Sequence, residues 1–323
     1  MAFKYIYSAS RIKTLSYNLL SENQLERLLG AKSQEEAFKT LQDTFLESFV
    51  YAKVQDISKP MEDCVYQAKT LLGSIAPDQK TISILWIEFD FFNLKIIAKG
   101  RKNGLETEEI KKHATFTGNY TFERLLKAYD DKKLGTLNKY FKEAVEESQE
   151  KQNEFQLDLV FDRKYLENLV AEAKSIKDKF MKEFVLKMID LFNLKTALRL
   201  KFLESHGIPI RDLFVPGGKI SKKDLEDETQ LNFILNRLGN GKKWQEAFEE
   251  YKKTGNFSLI EKASEEHLLD FLKRKSLNMF SPATLFSYFY RLKNNLHIIR
   301  TIILGKEMGL SELEIRNYLK KLY

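Results

Sequence analysis

The chain has 323 residues, which exceeds one ordinary domain and allows a large buried core, and its single cysteine, Cys64, excludes an intrachain disulfide and fits a reducing compartment. The net charge is +7, but 53 basic side chains are interleaved with 46 acidic ones, which favours a solvated helical surface over a long cationic binding tract. Glycine and proline are scarce, at 14 and 5 residues, and Leu, Lys, Glu and Ala recur throughout, so the composition predicts an all-α fold.

The N-terminal part of the chain predicts short helices joined by tight turns. Apolar side chains at helical spacing place a first helix within residues 5–20, and residues 21–24 and 33–36 have the Ser-x-x-Gln/Glu pattern of capping boxes. Gly30 is expected to end the helix between them. The chain lacks the apolar core of a signal peptide at its start, and charged residues interrupt its most apolar stretch, residues 82–97. We therefore expect no membrane-spanning segment.

The most apolar helix is predicted over residues 79–103, and it contains a motif that occurs twice. Residues 90–95 read DFFNLK, and residues 190–195 read DLFNLK, one hundred positions later. Apolar side chains cover more than half the circumference of the first helix, so we expect it to be central and largely buried. Gly104 is expected to end this helix in a left-handed conformation.

The segment after the first copy has an echo near the end of the chain. Residues 95–110 align with residues 300–315, with both glycine pairs and the leucine after the second glycine in common. We interpret the chain as one helical unit used three times. Two linkers, residues 113–120 and 214–219, place an aromatic residue shortly before a glycine. The predicted repeat domains span residues 1–117, 118–216 and 217–323.

The sequence contains no recognisable catalytic constellation. The glycine–lysine pairs at 218–219 and 241–242 lack the spacing and strand context of a phosphate-binding loop. The histidines have no metal-ligand spacing among themselves or with Cys64; they are His113, His206, His267 and His297. We therefore expect no catalytic residue, no metal, no cofactor and no small-molecule substrate.

The repeat alignment places three basic residues at equivalent positions, Lys95, Lys195 and Arg300. If three units surround a pseudo-threefold axis, these side chains form a ring around it. In the alternative interpretation, each cation pairs with a nearby acid or extends along its own helix. The third copy departs from the motif, because Asn295 and Ile298 replace the aspartate and the asparagine. A role shared by those two residues in all three repeats is therefore doubtful, and helix packing in the first two is the alternative.

With these motifs, the chain resembles the C-type stalk component (d-type in eukaryotes) of V-type and A-type rotary ATPases. The resemblance covers essentially the whole chain. It rests on Tyr-x-Ala-x-Arg-Ile at 7–12, the Asp-x-x-Asn-Leu-Lys motifs at 90–95 and 190–195, the segment 214–219 and Arg300.

The resemblance implies a funnel of three similar helical domains in a pseudo-threefold arrangement, with no active site of its own. Such a central-stalk (rotor) protein links the axle, formed by the D and F subunits, to the membrane proteolipid ring. It transmits torque for proton or sodium-ion transport. The resemblance also implies one copy per complex, peripheral attachment to the cytoplasmic face of the membrane through the ring, and no nucleic acid. Lys95, Lys195 and Arg300 would then face the axle or the ring.

Two functions of other classes remain open at the level of sequence. A basic helical scaffold that binds nucleic acid would need cations segregated on one face and would bind less tightly as salt increases. An enzyme with an unrecognised site would need a deep pocket with converging polar groups. The interleaved acids argue against the first, and no motif supports the second.

Overall fold

The structure is a computed structural model that describes residues 3–47, 57–151, 154–202, 213–238 and 241–323. Within these ranges every regular element is a helix and none is a strand, which confirms the predicted all-α fold. His206, one of the four histidines considered above, lies outside the described residues.

Eighteen α-helices occur in the described ranges: α1 (Ile6–Leu15), α2 (Glu22–Gly30), α3 (Gln34–Thr40), α4 (Ser58–Ile75), α5 (Gln79–Ser83), α6 (Ile87–Lys102), α7 (Thr107–Lys111), α8 (Phe122–Asp130), α9 (Leu134–Leu137), α10 (Lys139–Gln149), α11 (Glu154–Ile176), α12 (Lys179–Phe202), α13 (Lys222–Glu226), α14 (Glu228–Arg237), α15 (Gly241–Thr254), α16 (Ser258–Lys275), α17 (Ala283–Glu307) and α18 (Glu312–Tyr318). Short 3-10 turns lie at Ser16–Asn18, Leu41–Asp43 and Ile84–Trp86.

Contacts divide the chain into two compact units, one made of Met1–Pro77 with Glu265–Tyr323 and the other of Asp78–Ser264. The first unit is built around α17, which packs against α1, α2, α3, α4 and α18. Most of the side chains of α17 that are buried are apolar, as expected of a core helix. The three predicted repeat boundaries are not tested by this division and remain a prediction.

The second unit has α6 and α11 at its centre. Helix α6 packs against α8, α10 and α11, and α11 also packs against α10 and α12. Phe91 of α6 is 3% exposed and makes edge-to-face ring contacts with Phe141 (5.1 Å between centroids) and Tyr165 (6.0 Å). The prediction that this helix is central and largely buried is confirmed.

The predicted helix over residues 79–103 is divided in two by the 3-10 turn at Ile84–Trp86. The three side chains of this turn are consecutive, and each is at most 4% exposed. A straight helix with one buried face does not bury three consecutive side chains equally. We therefore attribute the tighter 3-10 turn to the tertiary packing that buries all three side chains.

The N-terminal caps follow the sequence closely. Ser21 and Gln24 form the predicted capping box, with the Gln24 N–H donating to Ser21 Oγ (3.3 Å) and the Ser21 N–H donating to Gln24 Oε1 (2.9 Å). Ser33 accepts from the Glu36 N–H, but the Glu36 carboxylate accepts from the N–H of Lys32 at 2.8 Å. The second cap therefore engages one residue earlier than the capping-box pattern predicts.

Candidate functional site

The first copy of the repeated motif holds the linker that follows it. Asp90 on α6 accepts hydrogen bonds from the backbone N–H of Tyr120 and from the side-chain amide of Asn119, both at 2.9 Å. Asn93, one turn later, donates to the carbonyl oxygen of Thr115 (2.8 Å) and accepts from its N–H (2.9 Å). Asp90 is 1% exposed and Asn93 is 0% exposed, so these four bonds lie inside the protein.

The second copy repeats this arrangement one hundred residues later. Asp190 on α12 accepts from the backbone N–H groups of Lys219 (2.7 Å) and Ile220 (3.0 Å). Asn193 donates to the carbonyl oxygen of Val215 and accepts from its N–H, both at 2.9 Å. The asparagine reaches 22 residues ahead in both copies, and the aspartate reaches 30. We call this pair of side chains and its linker the linker clamp.

A glycine in each linker lets the backbone approach the clamp. A Cβ atom on Gly118 would lie 2.4 Å from Asp90 Oδ1, and one on Gly218 would lie 2.3 Å from Asp190 Oδ1. Either carboxylate would have to leave its hydrogen-bonding position to accommodate a side chain. The aromatic-before-glycine pattern of the two linkers is visible in the sequence, but the need for the glycine comes from this close contact.

The C-terminal end of α17 has the same geometry as the C-terminal end of α6. Gly104 and Gly309 have φ values of +69° and +72°, so the left-handed end predicted for α6 is confirmed and recurs after α17. A Cβ atom on Gly100 would lie 2.5 Å from Ile110 of the following short helix, and one on Gly305 would lie 2.7 Å from the equivalent isoleucine. The echo seen in the sequence is therefore a shared helix–turn–helix geometry.

The linker clamp is confined to the first two copies of the motif. Asn295, at the position of the clamp aspartate, is buried on α17. The last described residues are held differently: Arg291 Nε donates to the carbonyl oxygen of Tyr323 (2.7 Å), and the Asn294 amide donates to that of Lys321 (2.8 Å). The doubt raised by the divergent third copy is justified by its different contacts.

The predicted basic positions differ in their surroundings. Lys95 on α6 forms ion pairs with Asp162 (3.4 Å) and Asp158 (3.7 Å) of α11. One turn later, Lys99 pairs with Asp158 (2.8 Å) and Glu154 (3.4 Å). The acids are spaced four residues apart, and the two helices run antiparallel, so cations and carboxylates meet in one row. We call these five side chains the α6–α11 charge row.

The charges of two of the predicted basic positions influence Asp162, and Lys95 alone of these forms an ion pair with it. The Asp162 side chain is 51% exposed, yet the surrounding protein desolvates the carboxyl and raises its pKa, while the charges of Lys95 and Lys195 oppose the rise. Arg300 is exposed on α17 in the other unit. Sequence reasoning missed Asp162, although acids at 154, 158 and 162 on one helix face were an available signal.

Replacing Lys95 with methionine is expected to raise the pKa of Asp162 further, because the nearest opposing charge is lost while the desolvation remains. Side-chain carboxyl shifts followed by NMR over a pH series would measure this change. The Lys99→Met variant is the matched control, since Lys99 pairs with Asp158 and Glu154 instead. An equal pKa of Asp162 in the two variants would contradict the assignment of Lys95 as its main opposing charge.

Neither a membrane-spanning helix nor a clustered metal centre occurs in the described ranges. No helix there combines the length and the apolar character needed to cross a membrane. The same ranges contain no group of three or more His, Cys, Asp or Glu side chains placed to hold a metal ion.

A family profile and individual relatives both relate the chain to the same protein family. The family profile described as ATP synthase (C/AC39) subunit matches residues 9–318. The chain is similar to the C component of the A-type ATP synthase of Methanocaldococcus jannaschii, with 25% identity across 98% of this chain and 86% of the relative. The corresponding proteins of Pyrococcus abyssi (23% identity, 98% and 90% covered) and Methanococcoides burtonii (24%, 98% and 94%) are also similar. Because the profile spans nearly the whole length, the chain belongs to the ATP synthase C/AC39 family.

Proposed function

We propose that the chain is a non-catalytic central-stalk component of a V/A-type rotary ATPase. In this role it joins an axle of the D and F subunits to the proteolipid ring and transmits torque for proton or sodium-ion transport. One copy sits peripherally at the cytoplasmic face of the membrane, in a three-domain funnel. Membership of the C/AC39 family supports this role.

The observation that carries the proposal is the linker clamp. A part that transmits torque must resist twisting, and the connections between its helical units are where it would yield first. Each clamp joins a linker to a long buried helix through four hydrogen bonds, which engage three residues of the linker. Each such bond contributes about 0.5–1.5 kcal/mol, with more for those to a carboxylate. Both linkers are thereby stiffened by the same device.

The surface carries both basic and acidic side chains, so it can contact protein partners of either charge. Protein interfaces gain specificity when positive and negative groups are complementary across the contact. We place Lys95, Lys195 and Arg300 at positions that face the axle or the ring. Lys95 is already engaged with Asp158 and Asp162, whereas Arg300 is exposed and is the most accessible of the three.

Tagged chain isolated from detergent-solubilised membranes is expected to retain the axle proteins and the proteolipid ring. Reversing an exposed charge with Arg300→Glu should reduce the recovery of one of these partners several-fold without altering the helical circular dichroism. The control is Lys242→Glu, because Lys242 is 89% exposed and lies in the other unit. Mass spectrometry of the recovered proteins measures the effect.

Recovery of nucleic acid without any membrane partner would overturn the proposal in favour of a nucleic-acid scaffold. Equal recovery of axle and ring from the Arg300→Glu and Lys242→Glu variants would leave the stalk role standing but would remove Arg300 from the contact surface.

A further inference from the structure

Two segments of the first unit carry basic side chains and no acidic ones. Residues 3–21 and residues 271–281 contain neither aspartate nor glutamate. Their basic residues are Lys4, Arg11, Lys13, Lys273, Arg274 and Lys275. The two segments therefore contribute positive charge and no negative charge of their own.

Large apolar side chains are exposed within the same two segments. Phe3 is 71% exposed and Phe280 is 52% exposed, and their rings meet edge-to-face with centroids 5.7 Å apart. This contact joins the start of the chain to the loop between α16 and α17. Leu277 on that loop is 79% exposed, and Tyr7 on α1 is 63% exposed. We call Phe3, Tyr7, Leu277, Phe280 and the six basic residues the cationic–aromatic surface.

Helix α1 explains why this surface faces outward. Ala9 and Ile12 are 0% exposed on the face of α1 that packs against α17. The opposite face carries Tyr7 and Arg11, and the Arg11 guanidinium donates to the Tyr7 hydroxyl at 2.9 Å. The helix is thus anchored by its apolar face and presents an aromatic ring and a cation together.

Local structure explains only part of the surface. The three basic residues at the end of α16 complement the negative end of its helix dipole. The dipole does not account for Leu277 and Phe280, which follow the helix and remain exposed. Clustered exposed apolar side chains on a folded chain mark an interaction site more often than chance.

We propose that the cationic–aromatic surface binds an anionic lipid leaflet directly. Aromatic and leucine side chains enter the boundary between headgroups and acyl chains, while lysine and arginine side chains reach up to the lipid phosphates. Leu277 favours lipid over nucleic acid, because an aliphatic side chain has no ring on which a base can stack. This contact goes beyond the proposed function, in which the chain reaches the membrane only through the ring.

The purified full-length chain is tested by co-sedimentation with vesicles of phosphatidylcholine alone and of phosphatidylcholine mixed with phosphatidylglycerol. Binding is expected on the anionic vesicles and should weaken as salt increases, since the charges lie at an exposed surface. Leu277→Ser with Phe280→Ser is expected to reduce binding about tenfold by removing the inserted side chains. Arg11→Glu with Arg274→Glu should reduce it at least as much.

Two matched variants serve as controls. Leu313→Ser removes an apolar side chain that is 73% exposed elsewhere in the same unit, and Lys242→Glu reverses a charge outside the surface. Circular dichroism verifies that each variant folds, and the single substitution Leu277→Ser is available if the double variant does not. Both controls should bind like the unchanged chain.

Three results would overturn the proposal. These are equal binding to neutral and anionic vesicles, equal loss of binding in the controls, and binding of a single-stranded oligonucleotide without binding of vesicles. The assay contains neither axle nor ring. Its failure would therefore leave the co-purification result intact, and a failed co-purification would leave the vesicle result intact.

Discussion

Replacing Asp190 with alanine is expected to lower the free energy of unfolding of the second unit by about 3 kcal/mol. The side chain is 7% exposed and accepts the N–H groups of Lys219 and Ile220. Its removal leaves these two donors without their acceptor. Because the variant no longer has to bury a carboxylate, part of this loss of stability is offset. Amide hydrogen exchange at Lys219 and Ile220 should accelerate at least about tenfold, a local readout that does not require two-state unfolding of the whole chain.

Three comparisons separate the clamp from a general effect of losing an aspartate. Asp90→Ala should destabilise to a similar degree, because Asp90 also accepts two hydrogen bonds from its linker. Asp190→Asn should cost less, since the amide keeps one acceptor oxygen. Asp131→Ala should change stability by less than about 0.5 kcal/mol, because Asp131 is 43% exposed and its ion pair with Lys133 is long, at 3.8 Å. The clamp would have no special role if Asp190→Ala and Asp131→Ala behaved alike.

Replacing Gly218 with alanine is expected to destabilise the protein by about 2–3 kcal/mol through the same contact. The added Cβ would lie 2.3 Å from Asp190 Oδ1, so the carboxylate must rotate away from the linker N–H groups. In a chain that already carries Asp190→Ala, the same substitution has no carboxylate to displace and should cost far less. A double-mutant cycle measured by chemical denaturation should therefore give a coupling energy of about 2 kcal/mol.

Gly30→Ala is the control for the change from glycine to alanine. Gly30 is the last residue of α2, and a Cβ there would meet nothing within 4 Å. Stability should remain unchanged or rise by up to about 1 kcal/mol, because alanine loses less conformational freedom in a helix. Strictly additive effects of Gly218→Ala and Asp190→Ala would show that the close contact does not govern the stability of the linker.

The proposed stalk role makes the same clamp testable in an assembled complex. If the linkers carry torque, a clamp variant that still assembles should lose ion transport to a greater extent than ATP hydrolysis.

The sequence by itself determined the features that depend on neighbouring residues. Composition predicted an all-α chain, and the pattern of Ser21 and Gln24 predicted a capping box that the structure contains. The left-handed end of α6 at Gly104 was also predictable, since glycine adopts that conformation at no steric cost. These interactions span four or five residues, so their signals lie within a short window of sequence.

Only the tertiary structure decided what the repeated motif does. Asp90 and Asn93 bond to backbone groups 22 to 30 residues ahead, and a backbone N–H or carbonyl carries no residue signature that a sequence pattern could reveal. Lys95 meets acids on α11 because two buried helices pack antiparallel and bring distant side chains within 4 Å. The repeated motif in the sequence located the important residues, and the packing of the helices showed which atoms they contact.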